Sequence, residues 1–264
     1  MRTAAMLLAR LCLSIALAAP LAAVAAEGGP LDRLPTNVNP NDLVSLQRGA
    51  HAYINYCMGC HSVAFMRYSK LQEFGLSEKQ VRDNLIFTGA KVGEPMKTGM
   101  DQRESKEWFG AAPPDLSVIA RSRSSHAGSG ADWLYTYLRS FYRDSSRPTG
   151  WNNTVYPNVG MPHVLWQLQG VQALKTEEVF IPAGSGKKED ARRTEVQKLV
   201  LEKPGTMKPA DYDRMVADLV NFLVYVGEPT RQLRIDLGMW VLMVLAMLIV
   251  LSYLIKKEYW KDVH

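Results

Sequence analysis

The strongest constraint in this sequence is the motif Cys57-Met58-Gly59-Cys60-His61. The rest of the chain must fold around whatever group these five residues bind. Two thiols separated by two residues, with a histidine directly after the second, form the pattern for covalent attachment of c-type haem. Each cysteine can add to a haem vinyl group as a thioether, and the imidazole is then held under the iron as its proximal ligand. We therefore predict one covalent haem c on Cys57 and Cys60, with His61 as an iron ligand.

A zinc site and a redox-active dithiol are the alternatives for the same cysteines. Zinc would require further cysteine or histidine ligands at a suitable spacing, and the remaining cysteine, Cys12, lies near the N-terminus. A thioredoxin-like pair belongs to a βαβ unit and does not need the adjacent His61, whereas the residues before the motif have a helical period. Haem attachment is the favoured interpretation.

The N-terminus has the order of a secretory signal. Two arginines precede an apolar run from Leu11 to Ala19, and small residues follow up to Ala26. We expect residues 1–26 to be cleaved as a leader, which removes Cys12 and places the mature chain outside the cytoplasm. An uncleaved anchor is the alternative, but the apolar run is short. Loss of the leader lowers the formal net charge from +5 to +3, so the composition predicts no nucleic-acid partner.

The C-terminal end contains a candidate membrane anchor. Residues 237–255 form an uncharged run of 19 residues, which as a helix spans about 28 Å and matches a bilayer core of roughly 30 Å. We predict an anchor helix over 231–255 and a cytoplasmic tail over 256–264. The leader then places the domain 27–230 on the periplasmic side of a bacterial inner membrane. A buried core helix is the alternative, which the length and lack of charge disfavour.

The predicted fold class is a mainly α, cytochrome c-like haem domain with long loops, plus one C-terminal transmembrane helix. Amphipathic periods and caps predict helices from Asn41 to the haem motif, from Ser77 through about Phe87, over 131–142 and over 209–227. The last of these should pack on the first.

Two further segments are predicted to be less regular. The glycines in 88–110 predict a long loop near the haem. The charged segment 175–209 is expected to be an exposed insertion with short strands near 179–181 and 196–201, joined by a turn at Gly184 to Lys188. No partner is assigned to it.

A second axial ligand is expected in the irregular segment 151–165. Met161 lies between Gly160 and Pro162, which would hold its thioether on a close and stiff backbone. A thioether opposite the histidine keeps the iron low-spin and raises its potential. Local composition alone leaves Met96, Met100 and Met207 open as alternatives. His163, which would give bis-histidine ligation, is interpreted as an ordinary loop histidine.

Polar side chains near the haem are harder to assign from spacing. Asp115, after two prolines, can cap a short helix that Arg121 and Arg123 follow. An arginine beside a buried haem can fork onto a propionate, although the spacing alone favours a solvated helix end. Trp133 belongs to an apolar stripe with Tyr137 and its neighbours, which predicts core packing.

The order of these motifs resembles the cytochrome c1 family of bacterial quinol–cytochrome c oxidoreductases, the respiratory cytochrome bc complexes. The resemblance covers nearly the whole mature chain and rests on Arg48-Gly49, Tyr53, Cys57 to Ser62, Tyr68, Leu71, Pro113 to Ser117, Arg121, Arg123, Gly160-Met161-Pro162 and the C-terminal anchor. It implies that Met161 is the axial methionine, that Arg123 binds a propionate and that Pro113 lines the proximal side. Trp133 stands where other members have a tyrosine that contacts a propionate. The family's acidic docking patch is not evident in this near-neutral chain.

The resemblance also implies a function in electron transfer. Members take an electron from the Rieske iron–sulfur protein and pass it to a soluble or tethered c-type cytochrome, beside cytochrome b in a dimeric complex. An iron with two protein ligands has no open site for a substrate, so no turnover by this chain alone is expected. The alternatives are an anchored cytochrome c that serves a terminal oxidase, disfavoured by the long interval between His61 and Met161, and a peroxidase-type enzyme, which needs an open iron site.

Overall fold

The computed structural model describes residues 31–35, 41–181 and 192–262. The predicted leader, 1–26, lies outside the described residues. Within these ranges the chain is mainly helical, as predicted, with three two-stranded antiparallel sheets. The elements are α1 (Leu43–Tyr56), β1 (Val63–Arg67), a 3-10 helix (Tyr68–Phe74), α2 (Glu78–Leu85), β2 (Pro95–Met96), α3 (Gln102–Phe109), α4 (Ile119–Ser122), α5 (Gly130–Arg139), β3 (Phe141–Arg143), β4 (Trp151–Asn153), α6 (Trp166–Gln169), β5 (Gly170–Ile181), β6 (Arg192–Pro204), α7 (Pro209–Gly227) and α8 (Arg231–Tyr259).

Helix α1 packs on α7, as predicted, and the two cross at Gly49. A Cβ atom at position 49 would lie 2.1 Å from the Asp218 carbonyl oxygen, so no larger residue fits there without moving a helix. Beyond the crossing, the rings of Tyr53 and Phe222 pack with their centroids 5.6 Å apart. This contact fixes the direction in which α1 delivers the haem motif.

An ionic network in which Asp218 is buried and Arg48 is exposed to solvent holds the same helix pair together. The Arg48 guanidinium donates to both carboxylate oxygens of Asp218, at 2.6 and 3.0 Å, and the Ser45 hydroxyl donates to Asp218 at 2.7 Å. Paired hydrogen bonds of this kind add geometric specificity. The N-cap of α1 is Asp42 rather than the predicted Asn41, because the Asp42 carboxylate accepts from the Val44 and Ser45 amides.

Segment 88–110 is not the continuous loop that its glycines predicted. Strand β2 pairs with β1, with Met96 opposite Val63, and α3 begins after an Asp101 cap and ends at Gly110 in the left-handed conformation. The helix was missed because only Ser105 is buried along it, so it carries no apolar period.

Two other helices follow their sequence signals more closely. The capping box of Ser77 and Gln80 starts α2 as predicted. Helix α5 begins at Gly130 and stops at Arg139, before the predicted end at residue 142, because Phe141 and Tyr142 leave the helix to pair with Asn153 and Asn152 in β4.

The charged region forms a longer hairpin than predicted. Strands β5 and β6 pair from Gly170 opposite Pro204 to Ile181 opposite Arg192, so the hairpin begins before residue 175. Gln172 anchors its base by donating to the carbonyl oxygens of Arg139 and Phe141, both at 2.9 Å. The length of the strands was underestimated because charged residues interrupt the alternation of apolar and polar residues that is typical of a strand. The predicted turn at Gly184 to Lys188 lies outside the described residues.

Helix α8 is the one candidate membrane span in the part of the chain that the structure describes. It contains 29 residues, has a mean hydropathy of 2.5 in its most apolar window, and buries none of that window against the rest of the chain. At 1.5 Å per residue it is about 44 Å long, enough to cross a bilayer core. It extends beyond the predicted 231–255 because Lys256 to Tyr259 continue the helix.

Candidate haem-binding site

The haem motif follows directly on the last turn of α1. The amides of Cys60 and His61 both donate to the Cys57 carbonyl oxygen, at 3.0 and 2.9 Å. This single turn brings both sulfur atoms and the imidazole to the wall of one cavity of about 350 Å³. The two cysteines are not joined as a disulfide, so each thiol is available for attachment.

The His61 ring is held in one orientation by the backbone. Its Nδ1–H donates a hydrogen bond to the Pro114 carbonyl oxygen at 2.7 Å, and the Tyr53 hydroxyl donates to the His61 carbonyl oxygen at 2.6 Å. Burial lowers the pKa of His61, against an opposite effect of the Pro114 carbonyl and Asp115. A neutral imidazole with the Nδ1 proton engaged leaves the Nε2 lone pair for a metal.

The segment that supplies the Pro114 carbonyl is itself tied to the residues after the motif. Asp115 accepts from the Ala64 amide at 3.0 Å and from the Ser117 amide at 2.7 Å, and the Leu116 amide donates to the Ser62 carbonyl at 2.8 Å. Asp115 therefore joins two segments. The prediction that it caps α4 is wrong. The N-cap position of α4 is Val118, which provides no side-chain hydrogen bond.

Met161 lines the same cavity. Its loop runs between β4 and α6, Gly160 passes against the backbone of Phe109, and the Tyr137 hydroxyl donates to the Met161 sulfur at 3.3 Å. Gly160 and Pro162 line the cavity on either side of it. His61 and Met161, distant in the sequence, thus face one space.

The rival ligands are placed elsewhere. Met96 is fully buried in the core beside Val63, Met207 lines a different groove, and Met100 does not line the cavity. His163 is 3% exposed and stacks on Phe141 with centroids 4.9 Å apart, away from the cavity lining. Burial lowers its pKa to about 4, so it packs as a neutral core histidine.

Arg123, Trp133 and Tyr156 meet at another part of the cavity wall. The Arg123 guanidinium lies 4.6 Å from the Trp133 ring centroid and 5.3 Å from that of Tyr156, so it contacts both rings. No ion pair of Arg123 with an acidic side chain is found among the described residues. Arg121 is exposed and does not line the cavity. The structure therefore shows which of the two arginines lines the cavity, which their spacing in the sequence could not show.

The cavity suits a flat apolar group with acidic side arms. Its other lining residues are mostly apolar and include Pro113, Leu116, Ile119, Leu134, Leu138 and Leu219. Burial raises the pKa of the Cys57 thiol to about 12 and also raises that of Cys60, whereas zinc binding and disulfide exchange both require thiolates. Two thiols, one imidazole nitrogen, one thioether and one guanidinium are the groups that attachment, axial ligation and propionate binding of haem c require.

These features define a membrane-anchored c-type cytochrome. A model of the cytochrome C1 family matches residues 36–263. The ammonia monooxygenase gamma subunit of Nitrosomonas europaea is 46% identical over 254 residues, which cover 96% of this chain and 97% of that protein. Cytochrome c1 of Allochromatium vinosum is 44% identical over 94% of this chain and 96% of that protein, and cytochrome c1 of Rhodospirillum rubrum is 25% identical over 84% and 83%.

The chain belongs to the cytochrome c1 family. It is accordingly a haem-carrying electron-transfer subunit of a bc1-type complex, in which cytochrome b and a Rieske protein are the companions that family membership implies. A single C-terminal helix serves as its membrane anchor. The resemblance to the cytochrome c1 family described from the sequence is confirmed. The roles of the individual site residues stay predictions.

Two tyrosines that contact the candidate ligand Met161 or Arg123 were missed by sequence reasoning. Tyr137 had been placed in the apolar stripe of α5, and Tyr156 had been given no role in its loop. The spacing of Trp133 and Tyr137 by one helical turn was the available signal for the first. For Tyr156 the sequence offers no signal, because its contact with Arg123 depends on how the loop after β4 returns to α5.

Proposed function

We propose that this chain carries one covalent haem c, attached through Cys57 and Cys60 and ligated by His61 and Met161, and that it relays single electrons from the Rieske protein to a c-type cytochrome. The observation that supports it best is the cavity that these four residues share. Haem bound there would supply a one-electron ferric/ferrous couple.

Each protein group has a distinct part in this function. The Pro114 carbonyl orients His61 so that its Nε2 atom would be free to ligate the iron, and the loop at Gly160 places Met161 in the lining of the same cavity, where its sulfur would be the second ligand. If His61 and Met161 both hold the iron, the metal would offer no open site to a substrate. The apolar lining excludes water and disfavours the more highly charged oxidised state, which raises the potential.

Arg123 is the proposed partner of a haem propionate. The Trp133 and Tyr156 rings hold its guanidinium at the cavity wall, where a carboxylate could accept a forked hydrogen bond. Trp133 would act here through its ring face on Arg123, where a tyrosine of other members offers a hydroxyl.

The proposed topology has the haem domain on the periplasmic side of the inner membrane. Residues 1–26 would be cleaved as a leader, 27–230 would form the haem domain, α8 would cross the membrane and 256–264 would face the cytoplasm. Two features support this arrangement: residues 1–26 contain arginines, an apolar run and small residues in the order typical of a secretory signal, and α8 is long enough to cross a bilayer. The complex is proposed to be dimeric.

The name of the Nitrosomonas relative favours a second candidate, a subunit of an ammonia monooxygenase. The haem cavity would serve electron delivery in either setting, so the two candidates differ in the protein that receives or supplies the electron. The Allochromatium relative, with nearly the same identity, is named a cytochrome c1, and the family assignment favours the bc1-type complex.

Purification of the native membrane complex tests the function. The tagged full-length chain should copurify with a cytochrome b and a Rieske protein, reduce rapidly when quinol is added, and pass the electron to a c-type cytochrome. Copurification with an ammonia-oxidising enzyme and no cytochrome b would support the second candidate instead.

Two measurements test the cofactor and its ligands. Mass spectrometry should find one haem on the peptide with Cys57 and Cys60, and a start at Glu27 would confirm leader cleavage. Met161→Leu should keep the haem but abolish the sulfur-to-iron charge-transfer band and lower the midpoint potential, whereas Met207→Leu, in the other groove, should change neither. Unmodified cysteines would refute the proposal.

A further inference from the structure

A hydrogen bond reaches the Met161 sulfur from a helix that is otherwise part of the core. The Tyr137 hydroxyl donates to Met161 Sδ at 3.3 Å, and Tyr137 is only 8% exposed. No other hydrogen-bond partner of that hydroxyl is found among the described residues. A buried hydroxyl is costly unless it is hydrogen-bonded, so this contact accounts for a tyrosine at a position where an apolar side chain would otherwise be expected.

Ring packing holds Tyr137 in place. Trp133, one turn earlier on α5, stacks on it with centroids 4.8 Å apart and planes 12° apart, and the Phe141 ring contacts it with centroids 5.0 Å apart at an interplanar angle of 67°. The ring therefore has little freedom to move its hydroxyl away from the sulfur.

The backbone of the methionine loop is tied to the same turn of α5. Asn153 donates from its side-chain nitrogen to the Tyr137 carbonyl oxygen at 2.8 Å, and its side-chain oxygen accepts from the Val155 and Tyr156 amides. The start of the loop that carries Met161 is thus fixed to the residue whose hydroxyl contacts the sulfur. Donor and acceptor are positioned by one set of contacts.

We infer that Tyr137 is a positioning and tuning residue for the Met161 ligand. This inference rests on the proposed function, in which Met161 binds the iron. A thioether sulfur has two lone pairs, so one could bind the metal while the other accepts the hydrogen bond from the Tyr137 hydroxyl. The hydrogen bond withdraws electron density from the sulfur and weakens it as a donor, which disfavours the ferric state more than the ferrous state. Tyr137 therefore raises the midpoint potential.

The test is a redox titration of the full-length chain in its membrane complex, with Tyr137→Phe compared with Tyr135→Phe. The first change removes one hydroxyl and keeps the ring between Trp133 and Phe141. The second removes a hydroxyl from the same helix on the side that faces Arg139 and the other groove. Only the difference in strength of this hydrogen bond between the two oxidation states changes the potential, and that difference cannot exceed the bond's net worth, so Tyr137→Phe should lower the equilibrium constant for reduction about twofold to tenfold.

The charge-transfer band from sulfur to iron separates a tuning effect from simple loss of the ligand. In Tyr137→Phe we expect the band to persist while the potential falls, and in Tyr135→Phe both should match the unaltered protein. An unchanged potential in Tyr137→Phe, or an equal fall in both variants, would overturn the inference.

Met161→Leu distinguishes failure of this inference from failure of the proposed function. If Met161→Leu abolishes the band and Tyr137→Phe alters nothing, Met161 is the ligand and the tuning role is wrong. If Met161→Leu leaves the band intact, the ligand assignment itself is wrong.

Discussion

Gly160 lies so close to Phe109 that a Cβ atom at position 160 would be 2.5 Å from the Phe109 carbonyl oxygen. That oxygen is part of the backbone and cannot rotate away as a flexible side chain could. The end of α3 therefore sets how near the methionine loop can approach the cavity.

Gly160→Ala should displace Met161 from the cavity wall. We expect a weakened charge-transfer band, a lower midpoint potential and a loss of about 1–3 kcal/mol in the free energy of unfolding, which is typical of overpacking. Gly99→Ala is the matched control, because a Cβ atom there meets no other atom within 4 Å. Equal spectra and potentials in both variants would show that the contact does not constrain Met161.

Arg123→Leu should lower the midpoint potential. A guanidinium at the cavity wall favours the state of lower positive charge on the iron and pairs with an anionic propionate, and its loss removes both effects. Arg121→Leu, two residues earlier and outside the cavity, should leave the potential unchanged. Spectroelectrochemical titration of both variants measures the difference, and equal values would contradict the assignment of Arg123.

Protection of the Leu34 amide should depend on the protonation of Asp132. This carboxylate accepts from the Leu34 amide at 2.7 Å and from the Ser129 amide and hydroxyl at the start of α5. Burial acts to raise the pKa of Asp132, but the hydrogen bonds from Ser129 and Leu34 lower it overall. A depressed folded pKa gives a contribution that is present above the unfolded pKa of about 3.9 and is lost as the pH falls through the folded value.

Hydrogen exchange measures this directly. The protection factor of the Leu34 amide should fall as the pH drops below about 4, and Asp132→Asn, whose side-chain oxygen cannot be protonated in this range, should remove that dependence on pH. Asp101→Asn makes the same change at the N-cap of α3, away from Leu34, and should preserve the acid-dependent fall. Loss of that dependence in Asp101→Asn would mean that α5 and residues 31–35 unfold for another reason.

Removal of residues 231–264 should yield a soluble haem domain. Helix α8 buries none of its apolar window against the rest of the chain, so its loss removes no packing from the core formed by α1, α5 and α7. The truncated chain should take up haem and show the same absorption spectrum and midpoint potential as the full-length protein. Failure to incorporate haem, with normal export, would show that the anchor contributes to folding.

The part of the site that depends on local sequence was the part that could be predicted. Cys57, Cys60 and His61 reach one cavity because a single turn after α1 places them there. Helices α1 and α7 were predicted for a similar reason, since each has a long apolar face that repeats with the helical period. The contacts that complete the site join distant segments: the Pro114 carbonyl meets His61, and the Tyr137 hydroxyl meets Met161.

Met161 illustrates the limit most clearly. Its neighbours in the sequence predicted a constrained backbone, but several other methionines could have been the ligand until the family resemblance was considered. Only the folded chain shows that Met96 packs in the core and that Met207 faces another groove. The short helix α3 was missed because nearly all of its residues are exposed, so its sequence lacks the apolar period that marks a helix.

The connection between the haem domain and the membrane is very short. Helix α7 ends at Gly227 and α8 begins at Arg231, and the Arg231 amide donates to the Glu228 carbonyl oxygen within the link. Fully extended, residues 228–230 reach about 10 Å. The haem domain is therefore held within about 10 Å of the N-terminal end of α8, and a wider swing would require α7 or α8 to unwind at that end.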